Sequence, residues 1–433
     1  MGGAHSRAAW IIADQAIASA ANAGLTITLS RTVSPEEFGA FALAFSIYSL
    51  TLSLAQGVSG QVVVVRYSRE PRAKQVLASA VAGGTAIILA ALCSAVVLLT
   101  ALLLTAAPLR SVFLVLAVLL PALVLQDTWR TVFVARGEPS QAFFNDLAWI
   151  TMQVVGIGVL LALRVEEASL YVCAWGVGAL IAAVIGCRQN GGVPTFRSTP
   201  SWLRDHREVG VPSVVSALAV LGTTQVAFVL IAAVGRVEDV GGLRAAQTLL
   251  GPLNIVAFAM SSFAVPEIVR RKPNRSGLVR IALIMSVFLV TMDVLWGTVL
   301  LLLPDSAGQA VLGATWSNAR SALPGMVAFT CLIGATAGAS AVLRALNRAD
   351  FNLWITVLLG PLILVFSVAG VRLDGSAGAA LGFALAAAVV APFCWLLLLR
   401  GARLGTRVPP VDVAVTESLP TSEVESVLPR HAP

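Results

Sequence analysis

Charge is scarce in this 433-residue chain: 12% of residues are charged, against ~25% in an ordinary soluble domain. Lysine is nearly missing, with Lys74 and Lys272 beside 27 arginines. That arginine and alanine bias fits a GC-rich genome, and no nucleic-acid partner is expected. Only three histidines occur, His5, His206 and His431. All lie outside the apolar runs, which excludes a histidine proton relay within a membrane. The five cysteines form no C-x-x-C, so neither a metal site nor a disulfide framework is indicated. No GxxxxGK[ST] loop is present, which excludes ATP binding in the Walker manner. No cofactor is expected. "MGGAHS" matches a myristoylation pattern, but one acyl chain adds nothing to a protein with many spans, and the match is read as coincidence.

What the chain has instead is apolar length. Hydrophobic residues make up 58% and the mean hydropathy is +0.88, the composition of a polytopic membrane protein. Apolar runs fall at 8–29, 39–65, 76–104, 112–134, 143–163, 168–187, 209–233, 241–266, 278–303, 323–346, 351–370 and 376–399. Each is long enough to span a bilayer as a helix. The first contains Asp14, Gln15 and Asn22, too polar for a signal-peptide core, and is read as a retained span. With the N-terminus inside, 20 basic residues flank the cytoplasmic ends and 7 the outer ends. The positive-inside rule then places both termini in the cytoplasm.

The longest inner connection, Cys187 to Pro212, divides the chain six plus six. The expected organisation is an N-terminal lobe (1–187), a cytoplasmic loop (188–208), a C-terminal lobe (209–403) and a disordered cytoplasmic tail (404–433). In the loop, "SWLRDHRE" suggests a short interfacial helix with Trp202 at the headgroups. The halves echo each other: "VVVVRYSREPR" and "PEIVRRKPNR" close the second and eighth spans with similar basic proline turns. Repeated six-span units are a common transporter architecture.

Polar residues at helical spacing mark faces turned away from lipid. The eighth span gives Arg244, Gln247, Gly251, Asn254, Phe258 and Ser261. The second gives Ser46, Ser49, Ser53, Gln56 and Gly60, and the first Gln15, Ser19, Asn22, Thr26 and Ser30. Small and hydroxyl residues also serve helix contacts. Arginine and large amides are too polar for that, so Asn22, Gln56, Arg244, Gln247 and Asn254 are read as lining a water-filled cavity. Pro252, inside the eighth span, bends it as a static kink or a hinge. Asp127 and Arg130 lie one turn apart on the fourth span and are expected to form a structural pair. Asp293, mid-span in the ninth helix with no local basic partner, either pairs across helices or titrates.

The segment "SAANAGLTITLSRTVSPEEFGAFALA" (Ser19 to Ala44) resembles the start of the polysaccharide or O-antigen flippases. These belong to the MATE-like MOP superfamily, with the multidrug exporters and lipid II flippases. "LRAAQTLLGPLN" and "LPDSAGQAVLGATWSNARSALP" are similar to the corresponding eighth-span and outer-loop segments. The resemblance implies an all-α fold of about 12 transmembrane helices, in two six-helix lobes around a cavity lined by spans 1, 2, 7 and 8. It also implies basic groups there for a lipid pyrophosphate, for which Arg31, Arg66 and Arg244 are the candidates by position. Drug exporters of the superfamily carry an aspartate in the outer half of the first span. Here "GLTITLS" holds no acid.

The leading expectation is a flippase of a lipid-linked (polyprenyl-pyrophosphate) oligosaccharide in the cytoplasmic membrane. It would make no covalent bonds, and its partners would be membrane lipids and polysaccharide polymerase or glycosyltransferase machinery. The alternatives are a cation-coupled exporter of small molecules, with Asp14 or Asp293 as coupling carboxylate, and a transport-inactive scaffold.

Overall fold

The second helix shows how local sequence sets the helix ends. Ser34 accepts a hydrogen bond from the Glu37 amide at 3.2 Å, Pro35 opens the first turn, and Glu36 and Glu37 face the helix N-terminus. Cap, proline and acids each favour a helix start at that place. Asn274 caps another helix in the same way, accepting from the Gly277 amide at 2.9 Å.

The computed structural model describes residues 2–404 apart from 272, with the backbone alone at 2–8, 12, 220, 221, 258, 262, 263, 266 and 349. Every regular element among them is a helix. Nine are long and apolar enough to cross a membrane, and the protein is an all-α, multi-pass membrane protein. We label the passes α1 (Gly2–Thr32), α2 (Pro35–Tyr67), α3 (Arg72–Leu103), α4 (Ala107–Ala135), α5 (Pro139–Ala162) and α6 (Ala168–Asn190). Then follow α7 (207–234), α8 (Val237–Arg271), α9 (Arg275–Leu301), α10 (Trp316–Ala345), and α11 and α12, the halves of Ala349–Leu404. Two of these twelve are not among the nine: α1 is not counted, and α7 enters only as a shorter apolar helix, Thr223–Val234. α11 and α12 count there as one, because only Asp374 and Gly375 leave helical geometry between them. The expected tail lies outside the described residues from 405 onward.

Large exposed apolar side chains mark the lipid face. On α3, Leu92, Val96, Leu99 and Leu103 form one such stripe. Trp129, Trp175, Phe38 and Phe41 are fully buried between helices. α2 and α7 each contain a π-helical turn, at Val63–Tyr67 and Leu218–Gly222.

The inter-lobe connection is packed onto α2 and α3. The Thr195 amide donates to the Ala80 carbonyl at 2.9 Å. Trp202 is 5% exposed and donates its indole N–H to the Val58 carbonyl at 2.9 Å. The expected interfacial tryptophan is therefore a buried anchor: its N–H is held by a carbonyl at the break in α2, and its ring stacks on Tyr67.

Candidate functional site

α1, α8 and α10 enclose a cavity of about 710 Å³. From α1 it receives Gln15, Ser19, Asn22 and Thr26, from α8 Arg244, Gln247, Thr248, Gly251, Pro252 and Asn254, and from α10 Met326, Phe329 and Thr330. The polar stripes of the first and eighth spans thus converge as their spacing implies. Phe258 carries no described side chain.

Arg244 is its most consequential group. Its guanidinium carbon lies 3.8 Å from the centre of the Phe45 ring on α2. Its Nε is buried and makes no hydrogen bond. Among the described residues no carboxylate comes within ion-pairing distance. Arg244 is thus a half-buried cation with no ion pair among the described residues, set beside amides and hydroxyls.

Three expected cavity residues lie elsewhere. Gln56 turns into the first six helices, donating to an Asp127 carboxylate oxygen and, at 3.5 Å, to the Thr131 hydroxyl. Arg31 is exposed at the C-terminal end of α1. Arg66 is exposed and faces Glu208 at 3.7 Å. Both arginines sit at helix ends, where water is the cheaper partner. Nor do α2 and α7 line the cavity; α10 does, through a stretch with little polarity of its own beyond Thr330.

A second polar cluster lies beside the cavity. Arg130 of α4 reaches Asp14 of α1 at 2.8 Å and Asp146 of α5 at 3.3 Å. Asp127, one turn away on the same helix, is 3.9 Å distant. The expected Asp127–Arg130 pair is therefore the loosest contact of a four-charge group. The carboxylates from the facing helices α1 and α5 both meet Nε of the guanidinium, and the (i, i+3) carboxylate is left with the more distant Nη1. Gln126 donates to Asp146 at 2.6 Å and to Asn145 at 3.3 Å. Asp14, Asp127 and Asp146 are at most 7% exposed, and one oxygen of Asp14 has no hydrogen-bond partner. Arg130 also donates to Gln15 at 3.2 Å, which ties the cluster to the cavity wall. Asp146, Asn145 and Gln126 escaped the sequence reading. The signal was "FFND", an amide–acid pair inside the span 143–163.

Asp293 of α9 is 4% exposed and faces Gly334 of α10, where a Cβ would meet its Oδ2 at 2.3 Å. No ion pair reaches it among the described residues.

On the side where α1 ends and α8 begins, the cavity is roofed. A Cβ on Gly39 of α2 would lie 2.3 Å from the Val237 carbonyl oxygen of α8, and one on Gly241 would lie 3.2 Å from the Gly39 backbone. Gly313, at φ +58°, seats against Ser30 and Arg31 of α1, and Thr315 donates to the Ser30 carbonyl at 3.3 Å. This arrangement brings the two halves of the chain into backbone contact.

No family model and no curated protein matches the chain. Solved structures do. A multidrug resistance MATE family transporter of the MOP superfamily, in its inward-facing conformation, superposes with a TM-score of 0.70 at 16% identity, over 88% of this chain and 95% of that one. The fold is that of MATE transporters. It is equally that of the lipid II flippase MurJ, whose inward closed conformation gives 0.70 at 12% identity, over 91% and 89%. The outward-facing conformation of a MATE transporter gives 0.56 at 15% identity, over 91% and 95%.

Proposed function

We propose that the protein moves a lipid-linked saccharide across the membrane by alternating access, with Arg244 holding the anionic phosphate or pyrophosphate. The observation that carries this reading is the uncompensated Arg244 in a cavity whose other polar groups are amides and hydroxyls. Gln247, Asn22 and Asn254 suit sugar hydroxyls, and phosphate suits a guanidinium with a free edge. MurJ, by its description, flips lipid II, a substrate of the same chemical kind. Arg244→Gln should abolish transport while abundance stays normal, and Arg244→Lys should retain part of it, since charge is kept and bidentate geometry is lost. The measurement is lipid-linked sugar accumulating on the inner leaflet. Wild-type turnover by a stable Arg244→Gln protein overturns the reading.

A cation-coupled exporter is the second reading, favoured by the three aspartates that share one arginine and touch the cavity through Gln15. It expects Asp14→Asn to remove the dependence of transport on the proton or sodium gradient, and Arg244→Gln to leave export of cationic drugs intact.

The basic residues place both termini in the cytoplasm in either case. Reporter fusions at Arg188 and Leu404 should both read inside, and one reading outside refutes the topology.

A further inference from the structure

The geometry points to Phe45 as the resting partner of Arg244 and, through it, as a latch that keeps the two halves of the protein closed over the cavity. This rests on the anion reading of Arg244, but its test does not use a substrate.

Four observations meet here. Arg244 belongs to α8 and Phe45 to α2, so the contact crosses between the halves. Arg244 follows Gly241 by one turn, so the contact lies directly beneath the Gly39–Gly241 seam. The Phe45 ring is held in place: it stacks on Trp175 at 5.8 Å and meets Tyr48 edge-on at 5.7 Å, while Tyr48 meets Trp175 at 4.9 Å. Among the described residues the arginine pairs with no carboxylate and its buried Nε is unpartnered, so its charge rests on the ring face.

A cation over a ring face is attracted to the ring quadrupole, and the attraction grows as water is removed. The seam above it is glycine against backbone, with van der Waals contact but no charge. Beside the Thr315–Ser30 hydrogen bond, the Arg244–Phe45 contact therefore supplies the electrostatic part of the closure. A ligand oxygen that took the guanidinium would remove that part at the moment the cavity fills. Both groups are half-buried, so the contact is worth a factor of about five in an open–closed equilibrium.

Gly251 offers the reporter position, since it lines the cavity and a side chain there enters open space. In a chain freed of its native cysteines, Gly251→Cys is labelled with a membrane-impermeant maleimide, in intact cells and in inside-out vesicles. Phe45→Leu should raise labelling from the Gly39–Gly241 side about fivefold. Phe45→Tyr, which keeps the ring, should leave it low. Arg244→Gln should raise labelling as Phe45→Leu does, and the double variant should exceed neither. Unchanged labelling in a Phe45→Leu protein of normal abundance overturns the latch, as do two increments that simply multiply. The anion reading fails on a different result, normal transport by Arg244→Gln, so the two are separable.

Discussion

Arg130→Gln should cost the protein most of its folded population. The change leaves Asp14, Asp127 and Asp146 buried around a neutral side chain, each at most 7% exposed. Breaking a buried ion pair by removing one partner costs about 3–5 kcal/mol, and here three carboxylates lose the same cation. Set against a total stability of roughly 5–15 kcal/mol, that is severe. The aspartates should rank behind it. Asp14→Asn and Asp146→Asn remove the contacts at 2.8 and 3.3 Å, and Asp127→Asn one at 3.9 Å. Each also relieves repulsion within an acidic group, so each costs less than the arginine. Abundance and thermal midpoint in detergent give the order. In double-mutant cycles, Arg130 should couple to Asp14 and Asp146 more strongly than to Asp127. Exchanging the charges of residues 127 and 130 should not rescue, because an arginine at 127 leaves its partners on α1 and α5. Recovery on exchange would return the site to a simple pair.

The sequence made the helices legible because lipid enforces a simple rule. Every backbone group in the hydrocarbon must be satisfied within its own segment, so apolar length alone locates the passes. The starts of α2 and α9 lie three to four residues before the apolar runs at 39 and 278, because Ser34 and Asn274 cap them by local chemistry that apolar length does not show. The cavity was half legible. Periodicity tells which residues of a helix share a face, as it did for Asn22, Arg244, Gln247 and Asn254. It does not tell what that face meets. Gln56 obeys the same spacing and meets Asp127 instead. The Arg130 cluster was the least legible part. Its members lie 116 and 16 residues from Arg130 in sequence, and only packing of α1, α4 and α5 brings them together.

The roof over the cavity yields the second large effect. Gly39→Ala should hold it open. The added Cβ would stand 2.3 Å from the Val237 carbonyl oxygen, and a backbone carbonyl within a helix start cannot swing aside as a long side chain would. α2 and α8 must then separate by about an ångström to restore ordinary contact. That movement loosens the Gly39–Gly241 seam and draws Phe45 away from Arg244. Little else is lost, because the helices on either side keep their own packing. Abundance should therefore stay near normal while transport falls at least tenfold, since a cavity that cannot close on this side cannot alternate. A cysteine at position 251 should become reactive from that side. Gly84→Ala is the control. Its Cβ would meet the Thr195 carbonyl oxygen at 2.0 Å, an equal clash confined to the inter-lobe connection where it lies on α3. It should lower abundance without changing the side from which the cavity is labelled. If Gly39→Ala behaved like Gly84→Ala, losing protein but not closure, the contact of α2 with α8 would be ordinary packing and the moving boundary would lie elsewhere.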